Sequence, residues 1–236
     1  MKNWMPRAIL YLLVVSGFIW SLKYTIAHFK PERQIILLNT TRPDFHQFLV
    51  FDSPQASIPT SRDLRPYLDY FHLVTEAMPD NNEGLLMLGY LHEISGDQKQ
   101  AEILLDQSYR LNPQFFFTGY NLALVSFNHG DYAQSADLLE KALANPPAVT
   151  FSRMMNSVIY RQLFGVMNDS REIILNLRTA YKDAYMLLIE TLSHAGQQEQ
   201  LLKVAASAAQ AFPDEPIFLK VLQGANDIPP VHAHVM

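Results

Sequence analysis

The sequence predicts an all-α protein, a solenoid of helical hairpins preceded by one N-terminal transmembrane helix. Three observations lead there. A 34-residue register relates residues 85–113 to residues 119–147; from Leu64 onward the pattern is helical and broken only by regularly placed Gly and Pro; and residues 8–22, AILYLLVVSGFIWSL, carry no charge. Self-similarity at a fixed period of this size is the mark of stacked supersecondary units.

Composition narrows the function before any motif does. The chain has 236 residues, enough for one sizeable core with appendages, and its 49% hydrophobic and 17% charged residues are too apolar for a disordered protein. With 18 Lys+Arg against 23 Asp+Glu and no basic run, nothing supplies the phosphate neutralisation that nucleic-acid binding needs. Cysteine is absent, which excludes disulfides, thiolate metal sites and cysteine nucleophiles. A cysteine-free chain suits an oxidising compartment without requiring one.

Residues 1–30 read as a signal anchor. The largely apolar stretch from Ala8 to Phe29 would rise to roughly 33 Å as a helix, near the hydrocarbon thickness of a bilayer. Lys23 would snorkel to a headgroup, and Trp20 and Tyr24 suit the interface. A cleaved signal peptide and a buried soluble helix are the competing readings; the first meets only a poor cleavage site around Thr25 and Ala27. Positive residues flank both ends, so charge does not fix the orientation. The signal-like layout favours a single-pass protein of a bacterial inner membrane with its larger domain on the periplasmic side.

Residues 31–63 hold Pro31, Pro43, Pro54 and Pro59 among short β-like runs, QIILL and QFLVF, and a polar cluster, and read as an irregular connector. The repeat domain follows at 64–224. In its common register Gly96-Asp97 matches Gly130-Asp131, Leu88 matches Leu122, Gly89 matches Ala123, Ala101 matches Ser135, Leu105 matches Leu139 and Pro113 matches Pro147. Gly-Asp ends one helix and caps the next, a small residue lets two backbones approach, and Pro stops continuation.

These residues resemble the tetratricopeptide repeat (TPR) family, whose unit is a helix, a tight turn and a second antiparallel helix. The resemblance implies a right-handed α-solenoid, non-enzymatic, that binds protein partners. Leu88-Gly89 and Leu122-Ala123 would be the large and small residues of each first helix, and Ala101 would sit at the close crossing. The Trp that often opens the family's first helix is replaced by Leu85, Gly119 and Tyr185. One unit back, LRPYLDYFHLVTEAM before Pro79 reads as a second helix without its partner. One unit forward, residues 152–180 read as a degenerate unit turning at Gly165, and residues 184–213 as a unit turning at Gly196 and closing at Ala208 and Pro213. A capping helix from Pro216 and a flexible tail, 225–236, complete about three and a half to four hairpins.

The first helices of such units line a concave surface, which places Leu86, Tyr90 and Glu93, then Phe117, Tyr120, Asn121, Leu124 and Phe127, then Met155 and Ile159, and last Met186 and Glu190 toward a groove. Phe115 and Phe116 belong between units. The aromatic and aliphatic stripe suits an apolar peptide or an amphipathic helix. Asn121 has no basic companion for capturing a terminal carboxylate. Two further readings stay open: the chain's own QFLVF or a membrane-proximal helix fills the groove, or the rings are inter-repeat core. His92, His129 and His194 are separated along the repeats, the His232/His234 pair lacks further ligands, and no phosphate loop, nucleophile elbow or HExxH occurs. No catalytic residue, metal or cofactor is expected. The sequence therefore predicts a membrane-anchored scaffold, assembly factor or chaperone-like adaptor, with a permanent structural subunit of a larger membrane complex as the alternative.

Overall fold

The computed structural model describes residues 14–24, 61–157, 159–160 and 170–224. Residues 14–24 are helical, and every one of them is exposed, including Phe18, Ile19 and Trp20. Among the described residues no helix is long and apolar enough to cross a membrane. The expected span from Ala8 to Phe29 extends beyond them at both ends. The connector up to residue 60, the turn at Gly165 and the tail from residue 225 also lie outside the described residues.

The rest is all α. Helix α1 (Ser61–Ala77) precedes the hairpin of α2 (Asn82–Ile94) and α3 (Gln98–Leu111), which stacks on the hairpin of α4 (Phe116–Asn128) and α5 (Tyr132–Leu143). A short α6 (Pro147–Asn156) leads away, and a 25-residue α7 (Ser170–His194) returns to form the last hairpin with α8 (Gln198–Ala211), closed by α9 (Pro216–Leu222).

Each hairpin turn is built by the same few atoms. In the first, Gly96 N donates to Glu93 O at 3.0 Å and Asp97 N to His92 O at 2.9 Å, satisfying carbonyls that the helix end leaves open. Gly130 and Asp131 repeat the pattern on Phe127 O and Ser126 O, and Gly196 and Gln197 repeat it on Ser193 O and Leu192 O. The three glycines have φ of +88°, +78° and +69°, and a Cβ on any of them would meet nothing within 4 Å, so backbone conformation alone demands glycine there. Asp97 and Asp131 then accept from the backbone of Gln100 and Gln134, capping the second helix. Gln197 makes no such cap.

Close approach explains the small residues. A Cβ on Gly89 would lie 3.0 Å from Leu105 Cγ and 3.3 Å from Ala101 O, so α2 and α3 cross with their backbones nearly touching. Gly119 sits likewise against Ala142, 3.1 Å from its Cβ. Gly89 of the expected Leu88-Gly89 pair occupies its crossing, and in the second hairpin the close approach falls at Gly119.

The third repeat departs from expectation. Gly130 and Gly196 are 66 residues apart, yet the hairpin turning at Gly196 stacks directly on α5. Ser135 and Thr191 share a hydroxyl contact of 3.4 Å, Tyr132 stacks on His194 at 4.8 Å, and Phe116 stacks on Tyr181 at 3.9 Å. Thus the second half of α7 runs beside α5, and among the described residues the last hairpin packs directly on the second. Nor does a boundary fall between 180 and 184, because α7 contains neither Gly nor Pro and runs straight through. The described stack is three hairpins flanked by single helices, fewer than the sequence register predicts.

Candidate functional site: a covered concave face and an open apolar cleft

The residues expected to line a groove are mostly core. Leu86, Tyr90, Phe117, Tyr120, Asn121, Leu124 and Ile159 are all at most 4% exposed. Phe127 is half-buried against Tyr132 and His194, and Met155 is exposed. No open aromatic stripe therefore exists among these nine. The physical reason lies in the helices themselves: α2 is buried continuously from Gly84 to Leu91 and α4 from Phe116 to Ser126. A helix that is apolar all round must be covered all round. Phe115 and Phe116, expected between units, are buried as well, Phe116 against Tyr120 and Tyr181. Of the other positions expected in the groove, Met186 is buried, and Glu93 and Glu190 are partly so.

Part of the cover is identifiable among the described residues; the QFLVF segment lies outside them. Beyond α6 the chain turns back across the first helices of both leading hairpins. Tyr160, itself 2% exposed, sets its ring against Phe115 at 6.0 Å and Phe117 at 6.4 Å. Ser157 Oγ donates to Glu83 Oε2 at 2.5 Å, across 74 residues of sequence, and accepts from Tyr160 N at 3.2 Å. Arg153 donates to Asn112 Oδ1 and Gln114 Oε1 in the loop before α4. At the base, Tyr181 OH donates to Asn145 O at 2.6 Å, which leaves Thr150 as donor in its 2.7 Å contact with that hydroxyl.

Burial sets the electrostatics here. It raises the Glu83 carboxyl above its ordinary value, partly offset by the Ser157 hydrogen bond. It pushes the Tyr160 phenol well up, with the nearby Glu83 charge adding to the effect. The Tyr181 phenol is raised to about 12, chiefly by burial. Both phenols stay neutral at physiological pH. Asn121, fully buried, donates to Phe117 O at 2.7 Å, while its Oδ1 finds no hydrogen-bond partner among the described residues.

An open surface remains on the other side of the excursion. A cleft of about 670 Å³ lies between α6, α7 and the end of α8, lined chiefly by Pro147, Phe151, Leu177, Tyr181, Tyr185 and Phe212. Ile174 and Leu175, on the overhang of α7, are more than half exposed, and Val149 of α6 is exposed too. Arg178 sits over the Phe212 ring at 5.5 Å and pairs with Asp214. A second, more polar groove of about 940 Å³ runs between the end of α5 and α8, past Glu140, Gln197, Gln200 and Lys203. The sequence does signal the cleft, since Ile174, Leu177, Tyr181 and Tyr185 recur at helical spacing in a stretch without Gly or Pro.

Chemistry-bearing side chains do not converge. His72 and His92 meet edge to face at 5.8 Å and His92 Nδ1 approaches Asp97 at 3.4 Å, but no group of three or more His, Cys, Asp or Glu is placed to hold a metal among the described residues.

No family model and no curated protein matches the sequence. Among solved structures, the crystal structure of MamA protein is similar, at 17% identity over 72% of this chain and 90% of that one, with a TM-score of 0.34. A score that low leaves the architecture to rest on this chain's own hairpins.

Proposed function

We propose that this chain is a membrane-anchored protein–protein interaction module, serving as a scaffold, assembly factor or chaperone-like adaptor, with its hairpin domain on the periplasmic side of a bacterial inner membrane. The observation that carries the reading is the open apolar cleft flanked by Ile174 and Leu175 on a rigid stack of hairpins. An exposed apolar surface of this kind suits the binding of another chain. Its apolar lining, from α6, α7 and the end of α8, suits the apolar face of an amphipathic helix. The wholly exposed helical residues 14–24, with Lys23 the one charge among them, support attachment to a bilayer near the N-terminus.

Two measurements on the full chain test the two parts. Alkaline extraction of membranes should leave the wild type in the pellet and release a Phe18→Asp, Ile19→Asp variant; release of both would remove the anchor. Crosslinking in native membranes should yield a defined neighbour that is lost in an Ile174→Ser, Leu175→Ser variant with an intact helical circular-dichroism signal. An unchanged crosslinking pattern would move the partner surface elsewhere.

A further inference from the structure

In a simple solenoid each unit touches only its neighbours along the stack. Residues 147–157 break that rule, because they follow the end of α5 and yet Ser157 bonds Glu83 at the start of α2. What they lay on the concave face is a pair of recognition groups three residues apart. The Ser157 hydroxyl bonds the Glu83 carboxylate, and the Tyr160 ring closes over Phe115 and Phe117. One helical turn on from Phe117, the buried Asn121 Oδ1 is an unused acceptor on the same side of α4. The segment also buries Met154, Ile159 and Tyr160 in the core, while Arg153 and Thr150 fasten it by side-chain hydrogen bonds.

We propose that residues 147–160 are an intramolecular ligand of the concave face, and that the face binds a peptide segment presenting a hydroxyl and, three residues on, an aromatic ring, in place of Ser157 and Tyr160. This deepens the interaction role proposed above and rests on it. The tethered segment competes at a high effective concentration, so a free peptide binds the wild type weakly and an opened chain far better.

The test uses the full-length protein in detergent and a fluorescein-labelled peptide with the sequence of residues 150–160, read by anisotropy. A Ser157→Ala, Tyr160→Ala variant should bind it at least about ten-fold more tightly than the wild type. A peptide with both recognition residues replaced by alanine should bind at least about ten-fold more weakly, and adding Glu83→Gln to the opened variant should lower affinity for the parent peptide. Equal affinity of wild type and opened variant, indifference to the two peptide residues, or no binding by a variant with intact helical circular dichroism would each overturn the proposal. Should the double variant unfold, hydrogen exchange on the wild type decides: amides of residues 150–157 should exchange at least about ten-fold faster than those of α4, and equal protection would make the segment permanent core. The extraction and Ile174/Leu175 crosslinking experiments do not involve this segment, so their failure is separable from failure here.

Discussion

At the scale of single residues, the turns show how little sequence a hairpin needs. Gly130 supplies a left-handed backbone and Asp131 both completes the helix end and caps the next helix. Gly130→Ala should therefore cost about 1 kcal/mol from conformation alone, and Asp131→Ala about 1 kcal/mol from the lost cap. Gly89→Ala acts by another route, since its Cβ meets Leu105 and the Ala101 carbonyl, and should cost about 1–3 kcal/mol through overpacking. Urea denaturation of the three variants checks the ranking. Phe117→Ala separates a core ring from a surface one: burial at 4% exposure predicts a loss of about 3–5 kcal/mol and a markedly lower melting temperature, where an exposed contact would cost under about 0.5 kcal/mol. The Gly-Asp turns and the small crossing residues were legible in the sequence because both depend on local backbone chemistry. The burial of Phe117 and Tyr120 was legible too, in the absence of any charged residue from Phe115 to His129. The Ser157 to Glu83 contact was not, since nothing periodic or local links two positions 74 residues apart.

At the scale of elements, α1 and α2 meet through a histidine pair. Burial holds the His92 imidazole below its ordinary 6.5, with the His72 charge acting in the same direction and the Asp97 carboxylate opposing both. The folded chain thus binds fewer protons than the unfolded one between that lowered value and 6.5. Stability from this site is full above that window and is lost as pH falls through it. Thermal melts across the window should show a decline for the wild type and a flatter profile for His92→Gln; an identical slope in both would place the dependence elsewhere. The continuity of α7 is the element whose reading went astray. Matching the 34-residue register led to a unit boundary near residue 182, whereas an uninterrupted run without Gly or Pro from Ser170 to His194 calls for one helix. Local helix propensity overrides the repeat period in this stretch.

At the scale of the whole molecule, stacked hairpins ordinarily gain their cooperativity from neighbour to neighbour. Here the Arg153 contacts and the Ser157 bond add links across 41 and 74 residues, so the leading hairpins and the excursion should unfold together. Denaturant unfolding of the wild type should give one transition by circular dichroism and by tyrosine fluorescence alike. In an Arg153→Ala, Ser157→Ala variant the two probes should separate, and coincident curves would deny the coupling.

That backward link also determines how the chain would answer to a pulling force. A plain stack drawn out from its C-terminal end peels helix by helix at low tension. Here α9, α8 and α7 would peel in that way, and the load would next reach residues 147–160, whose fastenings at Glu83, Asn112 and Gln114 lie on hairpins further back. Those fastenings would have to give way before the leading hairpins could peel. The protein is thus built as a yielding end in series with a latched one.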